Sequence, residues 1–212
     1  KRMQKISIVG NGSDYDIEKL VSVLQTSDYI IAVDGGLNLL HKLNISPNLI
    51  LGDLDSVDRR VLDLYTNVKK EVYPTEKDLT VSEIALKISI EMKAKVIDMC
   101  CMTGDYLDHT LANILILLRY FDREIEIKLI TSNSTIFMIK GYKEFNNLSK
   151  RRVSFFPISD CEIILNGFKY NYKKRELNLL DYSISNVIES DTASIELKYG
   201  MVLCTLFDEN YF

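Results

Sequence analysis

"YIIAVDGGLNLLHKLNISPNLILGDLDSV", residues 29–57, contains the repeat that decides the fold. Residues 29–33 are apolar and stop at Asp34-Gly35-Gly36. A short helical pattern follows from about Leu37 to Leu43, and then residues 48–51 form a second apolar run ending in Gly52-Asp53-Leu54-Asp55. Both apolar runs are too short for a helix and match buried strands. A helix between two such strands implies a parallel pair with a crossover connection.

The same alternation extends in both directions. Residues 5–9 read as a strand and 15–25 as a helix. Beyond Asp55 come a helix around Val57–Tyr65, a strand over Val68–Tyr73 and a helix over Leu79–Met92. In that helix Val81, Ile84, Ala85, Ile88 and Met92 fall on one apolar stripe. A strand at 95–101, an apolar helix over Asp108–Tyr120 and a strand at 125–130 complete the series. The expected fold class is α/β: a doubly wound, mainly parallel sheet with helices on both faces. After about Ser132 only short strand patterns remain, joined by Asn, Gly, Ser and Asp turns, as in a small antiparallel β-sandwich. The expected domains are 1–131 and 132–212.

Composition excludes several classes. The chain has 212 residues, 47% hydrophobic and 26% charged, with a formal net charge of −4. A backbone-driven nucleic-acid binder is normally basic, so no nucleic-acid partner is expected. The clusters Lys150-Arg151-Arg152 and Lys173-Lys174-Arg175 read as solvated loops. No apolar run reaches membrane-spanning length, and the first residues pass straight into a strand pattern without a signal peptide. Four cysteines lack metal-binding spacing, and two histidines make a zinc site an unpromising reading. The expected location is the cytoplasm, with reduced thiols.

The carboxylates carry the chemistry. Ligands of open parallel sheets bind at the carboxyl ends of the strands. There the sequence places Asp34, then Asp53 and Asp55, then Glu76 and Asp78 after the strand ending at Tyr73, then Asp105 and Asp108. Each has a plain structural alternative. Asp108, Asp55 or Ser56 could cap helices, Asp34-Gly35-Gly36 could be a simple turn, and Thr80-Val81-Ser82-Glu83 has the form of a capping box. Capping does not explain two aspartates around one residue, or the same choice at successive strand ends. Crowded carboxylates call for a cation, and hard oxygen ligands on a rigid rim suit Mg²⁺ shared with substrate phosphates. Gly35, Gly36, Gly52 and Gly104 would let backbone amides approach a polyphosphate. No GxxxxGK[ST] is present, and Gly10-Asn11-Gly12 is too short for a dinucleotide fingerprint.

Together "AVDGGLN" (32–38), "PNLILGDLDSV" (47–57), "YPTEKDLTVSEIAL" (73–86) and "TGDYLDHTLANILIL" (103–117) resemble the thiamin pyrophosphokinase family. "VSFFP" (153–157), "NGFKY" (166–170) and "SISN" (183–186) extend the resemblance into the β part. It implies transfer of diphosphate from ATP to the hydroxyethyl group of thiamin, releasing AMP. It also implies Mg²⁺ and a homodimer, with thiamin between the α/β domain of one subunit and the β domain of the other. Asp34, Asp53 and Asp55 would serve the metal and phosphates. Gly35, Gly36, Asn38, Lys77, Asp78, Thr80 and Gly104 would line the nucleotide side. Ser183, Ser185 and Asn186 would hold thiamin. Asp55 and Asp108 are both candidates for the carboxylate that meets the reacting hydroxyl.

The chain departs from the family pattern twice. Lys-Asp-x-Thr-Asp becomes Lys77-Asp78-Leu79-Thr80-Val81, losing a carboxylate that the family uses as a metal ligand. Gly-Gly-Arg-x-Asp-His becomes Gly104-Asp105-Tyr106-Leu107-Asp108-His109, losing an arginine and gaining Asp105. Asp105 is a candidate replacement ligand, with a solvated turn residue as the alternative. Tyrosine cannot reproduce a bidentate phosphate donor, which leaves the charge to Lys77 or points to another donor or acceptor. Two further readings follow: a diphosphokinase for another hydroxymethyl heterocycle such as a pterin, and a thiamin- or nucleotide-binding protein with weakened catalysis. No tryptophan is present, so ring stacking would fall to residues such as Tyr170 or Tyr172.

Overall fold

The computed structural model describes residues 5–73, 79–122, 124–179 and 181–210. Two compact units divide the chain, Lys1–Ser132 and Asn133–Phe212.

The first unit contains strands β1 (Lys5–Val9), β2 (Tyr29–Val33), β3 (Leu49–Gly52), β4 (Lys69–Val72), β5 (Val96–Cys100) and β6 (Glu126–Ile130). They run parallel in the order β6-β5-β1-β2-β3-β4. Helices α1 (Ile17–Gln25), α2 (Gly36–Lys42), α3 (Arg59–Leu62), α4 (Val81–Glu91) and α5 (Leu107–Arg119) connect them. Strand side chains alternate between faces. Val9, Ile30, Ala32 and Ile50 share a core with Leu20 and Leu24 of α1 and Leu37 and Leu40 of α2. The intervening Ile6, Ile8, Ile31, Leu49 and Leu51 are also buried and face the opposite side. There α4 packs on β1, β2 and β3. Each buried aliphatic side chain contributes about 1.5–3 kcal/mol of transfer free energy. This is the doubly wound sheet expected from the sequence.

Element boundaries show which carboxylates are caps. Asp16 caps α1, accepting from Lys19 N at 2.8 Å. The helix expected over Val57–Tyr65 shortens to α3, and Asp58 caps it by accepting from Arg60 N at 2.9 Å. Asp55 and Ser56 therefore do not cap it. Thr80 caps α4, but Glu83 does not close the expected capping box. The buried Glu83 carboxylate instead accepts from Arg119 Nη1 (2.8 Å) and Tyr120 Oη (2.7 Å), fastening α4 to the end of α5. The stripe on α4 is also displaced: of its residues only Ala85 is fully buried, joined by Glu83, Leu86 and Ser89, while Val81, Ile84, Ile88 and Met92 are half-buried. Ala85 and Ser89, both small, face inward together, and the Ser89 hydroxyl donates to Ala85 O at 2.8 Å. Helix α5 starts after Tyr106, so Asp108 lies within its first turn and is not its cap.

The second unit is antiparallel throughout. One sheet has the order β12-β9-β14-β7, from β7 (Ser134–Ile139), β9 (Arg151–Pro157), β12 (Ser183–Val187) and β14 (Val202–Asn210). The other has the order β11-β10-β13-β8, from β8 (Tyr142–Asn146), β10 (Cys161–Asn166), β11 (Tyr172–Leu177) and β13 (Thr192–Tyr199). Their inner faces share one core centred on Phe145, Phe155 and Phe168, whose rings meet edge-on at 5.8–6.3 Å. Such contacts favour aromatic pairs beyond their buried area. Strands β8 and β11 have no apolar alternation and are not legible in the sequence. The two basic clusters, expected as solvated loops, belong largely to strands: Lys173, Lys174 and Arg175 lie in β11 and Arg151 opens β9. β11 is an edge strand, where exposed charge deters pairing with another chain. All four cysteines are buried free thiols.

Candidate active site

Parallel strands bring the ends of β5, β1, β2 and β3 to one rim of the first unit. The segments beyond β1 and β5 continue the pairing: Gly10 N, Gly12 N and Asp14 N donate to Cys100 O, Cys101 O and Thr103 O at 2.9, 2.7 and 3.2 Å. Ser13 Oγ donates to Asp105 Oδ1 at 2.6 Å. Asp14 joins three strand ends, accepting from Thr103 Oγ1 at 2.9 Å and from both the hydroxyl and backbone N–H of Ser132. Burial raises the Asp14 pKa, but the hydrogen bonds from Ser132 and Thr103 outweigh it and hold the carboxyl below its ordinary range.

The rim backbone turns through left-handed conformations. Asp34 (φ 48°), Leu54 (φ 64°) and Cys101 (φ 54°) adopt them without being glycine, a costly choice that structures concentrate at functional positions. Leu54 packs on the core beneath α2 and α3. It anchors a turn whose flanking residues are Asp53 and Asp55. Asp53 Oδ1 accepts from Asp55 N at 3.1 Å, closing that turn, and Asp55 is exposed. Gly52 (φ 140°) lies under Asp34, so a Cβ there would collide with the buried Asp34 Oδ1.

A cavity of about 260 Å³ opens at this rim. Asp34 and Asp105 supply carboxylates, Ser56, Ser82, Thr103 and Thr110 hydroxyls, and Tyr106 and His109 polar rings. No lysine or arginine occurs among the described residues that line it. Tyr106 is exposed and its ring lies 5.6 Å from that of His109. Cys101 also lines the cavity, but burial pushes its thiol up to about 12, so it remains protonated and a poor nucleophile or ligand.

The sequence-derived candidates fall into distinct groups. Asp34 and Asp105 share the cavity. Asp53 and Asp55 occupy the adjoining turn after β3 without lining it. Asp108 is exposed and also outside the lining; its Oδ1 accepts from His109 N at 2.9 Å. Gly35 and Gly36 allow close packing, since a Cβ on Gly35 would meet the Asn11 side chain and one on Gly36 would meet Val9 O. Gly104 (φ 118°) donates its N–H to Thr110 Oγ1 at 3.3 Å and lies against Ser13. Asn38 holds the Ser56–Asp58 turn, donating to Ser56 O and accepting from Asp58 N, each at 3.0 Å. Thr80 Oγ1 accepts from Glu83 N at 3.1 Å. Lys77 and Asp78 lie outside the described residues. Among the described residues, no three His, Cys, Asp or Glu side chains are already grouped as a metal site.

In the second unit, Asn186 is fully buried and accepts from Tyr170 N and Val187 N at 3.0 and 2.9 Å, while donating to Tyr170 O at 2.9 Å. Its amide thus holds the 166–170 turn. Ser183 is buried and accepts from Tyr172 Oη at 3.4 Å; Ser185 (φ 56°) donates its N–H to Ser154 Oγ at 3.1 Å in an irregular stretch of β12. Tyr170 is exposed, whereas Tyr172 packs on the core.

Sequence reasoning missed residues 10–14. Gly10-Asn11-Gly12 fails as a dinucleotide motif, yet it lines the cavity from the central strand end. The available signal was its place after β1, the same position that singled out Asp34 and Asp53. Ser56, Ser82 and Thr110 carried no comparable signal.

Two family models match the chain: the thiamin pyrophosphokinase catalytic domain over residues 20–129 and the thiamin pyrophosphokinase vitamin B1 binding domain over residues 138–202. A thiamine pyrophosphokinase of Bacillus subtilis (strain 168) is 33% identical over 95% of this chain and 97% of its own length. A crystal structure of thiamine pyrophosphokinase from Bacillus subtilis superposes with a TM-score of 0.86 at 26% identity, covering 97% of this chain and all of the other. One from Geobacillus thermodenitrificans gives 0.82 at 25% identity, covering 97% and 98%.

Proposed function

The chain belongs to the thiamin pyrophosphokinase family, and from that premise we propose how its residues carry out the reaction. The enzyme transfers diphosphate from ATP to the hydroxyethyl group of thiamin, giving thiamin diphosphate and AMP. The thiamin oxygen attacks the β-phosphorus, the bond from that phosphorus to the α–β bridging oxygen breaks, and AMP leaves. Positioning and charge stabilisation do most of the catalytic work in such transfers.

The observation that carries the site assignment is a cavity with two carboxylates and four serine or threonine hydroxyls, and no lysine or arginine among its described lining residues. A polyphosphate beside these carboxylates is best accommodated together with a divalent cation. The donor set fits Mg²⁺, which takes oxygen ligands, keeps several waters and is held through one or two carboxylates plus substrate phosphates. A ready-made protein cage is not required. Asp34 and Asp105 would hold the ion, with Asp53 and Asp55 on the neighbouring turn, and bound Mg²⁺ would offset phosphate charge. Gly52 keeps Asp34 Oδ1 in place by having no side chain. Ser13 orients Asp105. Asp55 or Asp108, both exposed, accepts the proton of the thiamin hydroxyl. Gly35, Gly36, Asn38, Thr80 and Gly104 shape the nucleotide side; Lys77 and Asp78 are assigned there by resemblance alone. Ser183, Ser185 and Asn186 shape the thiamin side, Asn186 by fixing the backbone of Tyr170.

The domain bounds 1–131 and 132–212 are carried forward as the catalytic and thiamin-binding parts. The working form is a homodimer with a composite thiamin site, which light scattering on the purified protein tests. We place it in the cytoplasm, consistent with four free thiols. No helix among the described residues is long and apolar enough to cross a membrane.

AMP release, measured with thiamin and with a hydroxymethylpterin, tests the assignment. AMP should form with thiamin only, and D34N should lower kcat at least 100-fold, in the range for removing a principal transition-state charge contact. AMP release at wild-type rate from D34N would remove Asp34 from the site.

A further inference from the structure

Tyr106 ends the loop after β5 and lines the carboxylate cavity with an open ring: the residue is 69% exposed. Its placement is fixed from the helix side. Tyr106 O accepts from Thr110 N at 3.0 Å, closing the first turn of α5. Residues three apart on a helix are neighbours, so that turn sets His109 beside it, with ring centroids 5.6 Å apart and planes tilted by 44°. These are the ring-bearing side chains among the described residues of the lining. The surroundings are acidic. Asp105 precedes Tyr106 and lines the same cavity, Asp108 lies in the first turn of α5, and no described lining residue is lysine or arginine. Carboxylates at a helix N-terminus offset its partial positive charge, so the field around the ring favours a cation.

We propose that Tyr106 selects the acceptor by its charge: its ring face receives the thiazolium cation of thiamin. The proposal rests on the diphosphate-transfer reading above. Covalent geometry confines the thiazolium. Two methylenes separate it from the reacting oxygen, about 4 Å at full extension, and that oxygen must come within about 3–3.5 Å of the phosphorus. The thiazolium therefore stays beside the cavity that takes the phosphates, and Tyr106 is the tyrosine in that cavity's described lining. A tyrosine ring face attracts a cation held within about 6 Å of its centroid. Where the family pattern has arginine, this chain thus presents a ring that draws a cation in, not a fixed positive charge. A neutral heterocycle such as a hydroxymethylpterin gains nothing from that attraction, so charge as well as shape excludes it.

Steady-state AMP release by Tyr106→Leu and Tyr106→Phe tests the contact, with thiamin and with 3-deazathiamin, whose neutral thiophene replaces the thiazolium. Tyr106→Leu should lower kcat/KM for thiamin about tenfold, in the range of a desolvated cation–π contact, and leave 3-deazathiamin within about twofold. Tyr106→Phe keeps the ring and should stay within about threefold of wild type for both acceptors. Equal losses with the two acceptors, or none with either, overturn the proposal. A Tyr106→Phe loss as large as that of Tyr106→Leu assigns the effect to the hydroxyl and overturns it too. A raised KM for ATP with an unchanged ratio between the acceptors puts the ring on the nucleotide, which also overturns it. Wild-type AMP release with thiamin, measured alongside, reports on the reaction itself. Its absence would overturn the diphosphate-transfer reading and this proposal with it, whereas a normal wild-type rate with no selective loss overturns only the role of Tyr106.

Discussion

At the scale of single residues, the site depends on side chains held in costly conformations. Asp34 combines a left-handed backbone with a carboxylate oxygen buried over Gly52. Its arrangement follows from contacts between β2 and β3 and not from local preference. Asp105 stands where the family pattern has glycine, and Ser13 holds it at the cavity. Asp105→Ala should raise the Mg²⁺ concentration for half-maximal activity about tenfold, the lower range for loss of a group tuning a metal site. An unchanged Mg²⁺ titration would make Asp105 a turn residue. Asp14 gives a pH prediction. Its depressed folded-state pKa adds stability that is complete above the unfolded value of about 3.9 and is lost as pH falls through the lower folded value. Urea unfolding from pH 6 to pH 2 should therefore show a shallower acid decline for D14N than for wild type.

Among the elements, helix placement explains where the sequence pattern misled. The apolar stripe of α4 suggested burial through Val81, Ile84, Ala85, Ile88 and Met92; the helix leaves Val81, Ile84, Ile88 and Met92 half-buried and buries Ala85 of that set, turning Leu86 and Ser89 inward with it. Glu83 comes with them, and Arg119 and Tyr120 at the end of α5 satisfy it. A carboxylate at that depth requires such partners. Arg119→Ala should lower the urea midpoint, because Glu83 keeps the tyrosine bond but loses the guanidinium; an unchanged midpoint would show that water replaces the guanidinium. Strand β11 illustrates the opposite case. Its Lys-Lys-Arg run looks like a loop because an edge strand owes its conformation to pairing with β10, and its exposed face can be fully charged.

At the scale of the whole molecule, each unit has its own core, one built from aliphatic layers around a parallel sheet and one around three phenylalanines. Phe155 is fully buried and touches both other rings. Phe155→Ala should destabilise the second unit by about 3–5 kcal/mol through lost burial and a residual cavity. Tyrosine fluorescence during urea unfolding measures the change, and a loss below 1 kcal/mol would mean that the core collapses around the gap.

The sequence by itself determined the alternation of strands and helices, the change to antiparallel strands near residue 132, and the family. Those features are written as periodicity and as ordered motifs, and local burial preferences enforce them wherever the chain folds. Only the tertiary structure decided which carboxylates share a cavity, that Asp58 and not Asp55 caps α3, that Asn38 and Asn186 spend their amides on nearby backbone, and that Gly10-Asn11-Gly12 forms a wall. The reason is physical: whether a polar group is a cap, a clamp or a ligand depends on which partner lies within 3 Å. Strands distant in sequence set that distance.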